Sequence, residues 1–230
     1  MRKKRIVVLT GAGISAESGI KTFRDADGLW EGHDVMEVAT PEGWQRNTSL
    51  VLGFYNQRRK QLLTVQPNNA HKLLFLLEEE YTISIITQNV DDLHERSGST
   101  NVIHLHGELR KVRSTIDETL VYNWNTDLKF GDVCKKGTQL RPHIVWFGEA
   151  VPNLSLAEEI TQTADILIII GTSMQVYPAA NLIYHCKDGV PIYFIDPKPS
   201  ITENQFKNLT VIAEKATIGM EKLYKILSKP

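Results

Sequence analysis

The sequence predicts an α/β fold in which helices cover both faces of a parallel sheet. Three observations predict it. Short β-branched runs recur along the 230 residues, and they are continuous rather than alternating, as in strands buried on both faces. Helical patterns separate several of these runs, the alternation that builds a parallel sheet. Two stretches break the alternation and read as additions to it.

In chain order, the basic start Met1–Arg5 leads into an apolar run, Ile6–Thr10. That run is too short for a signal-peptide core and meets Gly11 without a cleavage pattern, so it is read as the first strand. The stretch from about Gly28 to Pro67 contains Trp30, Trp44 and a helix over Ser49–Leu63, with Leu50, Phe54, Arg58 and Leu62 nearly on one face; it is a helical insert. A helix over His71–Glu80 follows, then strands at Ile83–Thr87 and Val102–Leu105. Arg110–Gln139 is polar, turn-rich and weakly periodic, which fits either a small separate lobe or a loop. A strand at His143–Phe147, a helix over Leu154–Thr163, strands at Ile166–Ile170, Ile192–Ile195 and Leu209–Ile212, and a helix over Met220–Leu227 complete the series.

With 42% hydrophobic and 23% charged residues the chain can build a core, and wholesale disorder is excluded. A net charge of -1 gives no global attraction to nucleic acid or anionic membranes. No apolar run approaches the ~20 residues that cross a bilayer, so a soluble protein is expected. Two cysteines, Cys134 and Cys186, cannot make a disulfide framework or a four-thiolate metal site, and they suit the cytoplasm.

Ligands of open parallel sheets bind beyond the carboxyl ends of the strands. The residues there are Gly11-Ala12-Gly13-Ile14-Ser15-Ala16, Gln88-Asn89-Val90-Asp91, His106-Gly107, Gly148-Glu149, Gly171-Thr172-Ser173 and Asp196. Gly11, Gly13 and Ala16 match the G-x-G-x-x-G/A dinucleotide fingerprint, in which glycine allows the backbone to approach a pyrophosphate. The acid expected about 20 residues on, after a second strand, has no convincing counterpart in Gly28-Leu29-Trp30-Glu31, which demotes an ordinary hydride-transferring enzyme. His104 is read as a structural histidine. His106, at the ligand edge, is read as a general base, because an imidazole with a pKa near ~6.5 exchanges protons at neutral pH. The other five histidines show no metal-ligand spacing.

These residues closely resemble the sirtuin family. The carrying motifs are the run Gly11–Ile20 with Phe23-Arg24, then Thr87-Gln88-Asn89-Val90-Asp91, His104-Leu105-His106-Gly107, Arg141–Glu149 and Gly171-Thr172-Ser173, in the family's order. The resemblance implies an NAD-consuming protein-lysine deacylase with a Rossmann-like large lobe (about 1–27, 68–109 and 140–230) and a small lobe from two insertions (about 28–67 and 110–139). It assigns Gly11, Ala12, Gly13, Glu17, Gly171, Thr172, Ser173, Asp196 and Ala216 to the cofactor, and Phe23 and Arg24 to a mobile loop that closes over it. Gln88, Asn89, Val90 and Asp91 would line the nicotinamide and its ribose, with Asn89, Asp91 and His106 catalytic. Asp196 departs from the asparagine common in the family, though a carboxylate can accept from both ribose hydroxyls.

Acylated-lysine proteins would bind as an extended strand flanked by Val145, Phe147, Gly148, Glu149 and Tyr177-Pro178-Ala179. No nucleic-acid or membrane partner is expected. Tyr55 and Arg58, three apart on one helix, with Ala39 as the small residue that widens the pocket, resemble sirtuins acting on succinyl- and malonyl-lysine in addition to acetyl-lysine. Many sirtuins bind zinc through two cysteine pairs in the segment matching 110–139. Only Cys134 stands there, with Ser114 near an earlier ligand position, so no zinc is expected. Asp117, Glu118, Asp127 and Asp132 are read as solvated charges, and packing by Val121, Tyr122, Trp124 and Phe130 is expected to hold the lobe. The alternative activity is an NAD-dependent protein ADP-ribosyltransferase using the same pocket. A non-catalytic NAD sensor and an NAD dehydrogenase are further rivals.

Overall fold

Five consecutive apolar residues, Ile166–Ile170, are all buried, and the fold is organised around them. The computed structural model describes residues 2–21, 29, 30 and 32–228. The chain runs β1 (Arg5–Thr10), β2 (Leu29–Trp30), β3 (His33–Asp34), α1 (Val35–Val38), α2 (Pro41–Arg46), α3 (Thr48–Thr64), α4 (Asn69–Leu76), β4 (Thr82–Thr87), α5 (Leu93–Ser97), β5 (Val102–His104), β6 (Gly107–Ser114), β7 (Val121–Asn123), β8 (Leu140–Ile144), α6 (Leu154–Thr161), β9 (Ile166–Ile170), β10 (Ile192–Ile195), β11 (Leu209–Ile212) and α7 (Ala216–Leu227).

Six strands form one parallel sheet in the order β11-β10-β9-β1-β4-β5. Both faces are covered. Ile6, Val8, Ile83, Ile85 and Ile168 pack with α4 and α7 residues such as Leu74, Met220 and Leu223. Val7, Leu9, Ile86, Leu167, Ile169 and Phe194 face Ala157 of α6 and a short helical turn bearing Leu182 and Ile183. Each such fully buried side chain contributes about 1.5–3 kcal/mol. The chain leaves β1 for β4 on one side and returns to β9 on the other, so the switch point lies between β1 and β9.

Three expectations differ from the structure. The strand near His143–Phe147 begins and ends earlier, as β8, and it joins a separate antiparallel sheet of order β7-β6-β8. Pro142 lacks an N–H, which an edge strand tolerates and a central one does not. Within 110–139, Val121 is 37% and Phe130 78% exposed, so neither holds the small lobe. Its core is Leu52, Val112, Leu128, Cys134 and Leu140, flanked by Trp44, Leu120, Tyr122 and Trp124. Three of the acids there are engaged rather than merely solvated, Asp117 pairing with Lys136, Asp127 with Lys60, and Asp132 accepting from the Lys129 amide, while Glu118 stays solvated 3.7 Å from Arg113.

Polar contacts join α3 to this sheet. Arg59, 1% exposed, donates from Nε to the Leu109 carbonyl at 3.0 Å and from Nη1 to Asn56 Oδ1 and the Thr126 carbonyl. Asn56 exchanges two bonds with the Leu128 backbone. At the other end of α3, Arg96 donates to the carbonyls of Leu62 and Val65, satisfying acceptors that a helix terminus leaves open.

Beneath the strand ends lies a buried histidine pair, His71 and His94, with ring centroids 4.9 Å apart. Burial lowers the His71 pKa to about 4, against a weaker opposing pull from Glu95, and lowers His94 well below 6.5. Between about pH 4 and 6.5 the unfolded chain therefore binds more protons than the folded one, so stability is lost as the pH is lowered through that window. For His71 the gap from 6.5 to about 4 is worth up to about 3 kcal/mol. Asp91, raised to about 6, works in the opposite sense between 3.8 and 6. Urea unfolding at pH 7 and pH 5 is expected to show a loss of stability at pH 5 that His71→Gln reduces; equal losses in both proteins would mean His71 does not titrate in this way.

Candidate functional site

Pairing brings Thr10, Thr87, His104, Ile170 and Ile195 into one row at the carboxyl edge of the sheet. The next residue of each strand, Gly11, Gln88, Leu105, Gly171 and Asp196, therefore opens the same cleft. The first and fourth of these loops are knit together, with Gly11 N–H donating to Ile170 and Gly13 N–H to Gly171 at 2.8 Å. A Cβ on Gly13 would sit 2.5 Å from Gly171 Cα, and one on Gly171 2.4 Å from Ile14 N. The space left by Gly13 is thus filled by the Gly171 loop, and its N–H is already used. After Gly11 come two 3-10 turns, Ala12–Ile14 and Ala16–Ser18, instead of the long helix that the dinucleotide fingerprint ordinarily opens. Gly13→Ala is expected to cost about 1–3 kcal/mol in urea unfolding, because the obstructing atoms are backbone. An unchanged midpoint would show that the loops part freely.

Behind this floor a chain of side chains runs through Ser15, which the sequence placed in the glycine loop without a role of its own. Asn89 Nδ2 donates to Ser15 Oγ at 3.1 Å, and Ser15 donates to Asp91 Oδ2 at 2.9 Å. Ser15 is fully buried, and its signal was its place in the glycine loop beside small residues, which a loop of any function shares. Burial raises the Asp91 carboxyl to about 6, although bonds from Ser15 and the Leu93 amide pull it down. Asn89 N–H donates to Thr87 Oγ1, which also receives the Thr10 hydroxyl. Gln88 Nε2 donates to Thr172 Oγ1 at 3.1 Å, tying the second and fourth strand ends together.

His106 lies at the same edge. Its Nδ1 is 3.0 Å from the Gln88 carbonyl. A carbonyl only accepts, so Nδ1 carries the hydrogen and Nε2 keeps its lone pair for a proton. Burial lowers the pKa of this imidazole, with the Gln88 bond opposing, and the ring is neutral at pH 7. His104 differs in kind. Both its nitrogens face acceptors, Asn89 O and Glu95 Oε1 at 2.7 Å, and these outweigh the effect of burial and raise its pKa. It holds the Asn89 loop from behind, as the structural reading expected.

The outer residues divide. Asp196 is 2% exposed and takes the Lys198 amide on Oδ1. Glu17 is exposed and accepts from the amide and hydroxyl of Thr217, next to Ala216 at the start of α7. Val90 receives the Leu109 amide on its carbonyl. Phe23 and Arg24 lie outside the described residues. Val145 N–H donates to His106 O and Phe147 N–H to Ala39 O, while Gly148 and the rings of Phe147 and Tyr177 are exposed along the cleft side. Glu149 is committed to Arg141, Arg113 and the Trp146 amide. Arg58 lines a cavity with Trp30, Val90, Asp91 and Leu109, its guanidinium 5.2 Å from the Phe54 ring centre. Tyr55, one turn before, is fully buried with its hydroxyl on Trp146.

Cys134 Sγ lies 3.3 Å from Ser114 Oγ and 3.2 Å from Thr138 Oγ1, so hydroxyls surround the thiol. Among the described residues no group of three or more His, Cys, Asp or Glu side chains is placed to hold a metal ion.

Comparison with known proteins matches the Sir2 family over residues 11–178. A protein of Helicobacter pylori named NAD-dependent protein deacylase is 60% identical over 220 residues, covering 96% of both chains. Among solved structures, a mutant Sir2 homologue in complex with ADP-ribose superposes with a TM-score of 0.89 at 40% identity, covering 99% of this chain and 95% of that one. A Sir2 homologue in complex with NAD gives 0.87 at 40% identity, covering 98% and 90%.

Proposed function

The chain belongs to the Sir2 family, and from that membership we infer that its strand-end cleft is the active site of an NAD-dependent protein deacylase. One observation carries the residue assignment: the Gln88 carbonyl fixes His106 as a neutral imidazole with a free Nε2, beside the Asn89–Ser15–Asp91 chain. The cleft fits NAD as co-substrate, because the buried Asp196 carboxylate offers an acceptor to the hydroxyls of the adenosine ribose, and the loops at Gly11–Gly13 and Gly171–Ser173 form its floor.

In this reading Gln88, Asn89, Val90 and Asp91 orient the nicotinamide and its ribose, and Asp91 accepts from the carboxamide. The acyl oxygen of the modified lysine attacks the ribose carbon as nicotinamide leaves, in a site from which water is excluded. His106 Nε2 then takes a ribose hydroxyl proton, which lets the acyl group migrate. Water completes the balance, and the products are nicotinamide, acyl-ADP-ribose and the free lysine. Acylated proteins enter as an extended segment along Val145–Phe147 and Tyr177. Ala39, Tyr55 and Arg58 line the acyl end, and Arg58 extends the range to succinyl- and malonyl-lysine. Residues 28–67 and 110–139 form one small lobe, and that lobe needs no zinc; elemental analysis of the purified protein is expected to find none in stoichiometric amount. Two free thiols suit work in the reducing cytoplasm.

The test is to incubate the protein with NAD and an acyl-lysine peptide. Free nicotinamide and deacylated peptide are expected in equal amounts. ADP-ribose attached to protein without deacylation would favour the ADP-ribosyltransferase, and NADH would favour a dehydrogenase.

A further inference from the structure

Trp146 is the largest of the fully buried side chains, and the reaction above makes no use of it. Its indole Nε1 lies 3.0 Å from the Tyr55 hydroxyl oxygen. Indole nitrogen is a donor only, so the tyrosine oxygen accepts and the phenol's own proton points elsewhere. Among the described residues no acceptor takes that proton, although Tyr55 is 0% exposed. Burial also holds the phenol well above its ordinary pKa, so it remains a donor. A buried donor without an acceptor is costly, and an acceptor arriving with the substrate removes the cost.

The indole is itself held in place. The Arg141 guanidinium carbon is 3.3 Å from the ring centre. Glu149 accepts the Trp146 amide at 2.8 Å and Arg141 at 2.6 and 3.0 Å, and it takes Arg113 as well. Trp44 closes from another side, with ring centres 5.7 Å apart. Such a buried ion network holds the indole so that its N–H points at the Tyr55 hydroxyl, even though Arg141 Nε itself has no hydrogen-bond partner among the described residues.

We propose that Trp146, clamped by Arg141 and Glu149, is a positioning residue that makes Tyr55 an obligate hydrogen-bond donor and so selects acyl groups ending in a carboxylate. The inference rests on Tyr55 and Arg58 forming the acyl pocket. A carboxylate accepts from both the phenol and the Arg58 fork, whereas an acetyl methyl group accepts from neither.

The experiment measures kcat and KM for succinyl and acetyl forms of one peptide with wild type, Trp146→Phe, Tyr55→Phe and the double variant. Each single change is expected to lower the succinyl-to-acetyl ratio of kcat/KM about tenfold or more, mainly through a higher KM for the succinyl peptide, as loss of one hydrogen bond to a carboxylate implies. The double variant should fall no further than either single one. A wild-type ratio in Trp146→Phe, or multiplicative losses in the double variant, overturns the proposal. If Trp146→Phe loses cooperative unfolding, benzothienylalanine at position 146, which keeps the shape and lacks only the N–H, carries the same measurement. Arg58→Met separates the two levels. An unchanged ratio in Arg58→Met overturns the acyl-pocket reading and this inference with it, while a lowered ratio there beside an unchanged one in Trp146→Phe overturns the role of Trp146 alone.

Discussion

Replacing His106 by alanine is expected to lower deacylation turnover by about 10²- to 10⁴-fold, the usual worth of a general base. The side chain sits beyond the end of β5 with one hydrogen bond to the protein, from Nδ1 to Gln88 O, so its loss removes little packing. Urea unfolding should therefore keep its midpoint while kcat collapses. The same tautomer argument predicts the pH profile. Because burial lowers the His106 pKa, the acidic limb of kcat/KM should have its midpoint below pH 6.5, with Asp91, near 6, titrating alongside. A limb centred near pH 8, or near wild-type turnover in His106→Ala, would assign the base elsewhere.

The second large effect is on acyl preference. Arg58 lines the same cavity as Asp91 and Val90, so on the proposed reading the acyl end and the nicotinamide end of the site meet there. Its guanidinium can take a carboxylate with two parallel bonds, and such charge-assisted contacts are worth about 1.5–3 kcal/mol. Arg58→Met keeps the aliphatic stem and is expected to lower the succinyl-to-acetyl ratio of kcat/KM by 10-fold or more, since about 1.4 kcal/mol is tenfold. Equal losses on both peptides would make Arg58 purely structural.

The sequence made the central sheet legible because its strands are unbroken apolar runs between glycines and acids: β9, β10 and β11 fall where the runs at Ile166, Ile192 and Leu209 placed them. The small sheet was hidden by the opposite property. Lys111, Arg113 and Arg141 interrupt its strands, and its register depends on partners distant in sequence, such as Val112 with Pro142. Cleft residues were legible because each follows a strand end. Ser15 and Trp146 were not, since a buried hydroxyl and a buried indole look alike in sequence whether or not they bridge Asn89 to Asp91 or hold Tyr55. The fingerprint glycines stand at the strand-end cleft, and the close approach that Gly13 permits there is that of the Gly171 loop.

The helix α3 separates two duties by a rotation of one residue. Tyr55 turns its hydroxyl to Trp146 and Arg58 lines the cavity; Asn56 and Arg59, the next residue in each case, stand on the side that fastens the small sheet through Leu109, Thr126 and Leu128. On the proposed reading, substitution at 58 therefore retunes which acyl group is accepted without unfastening the lobe, and changes at 56 and 59 fall under a different constraint. On that reading, a lineage carrying this arrangement can drift in substrate range through exchanges at a position that takes no part in fastening the small sheet.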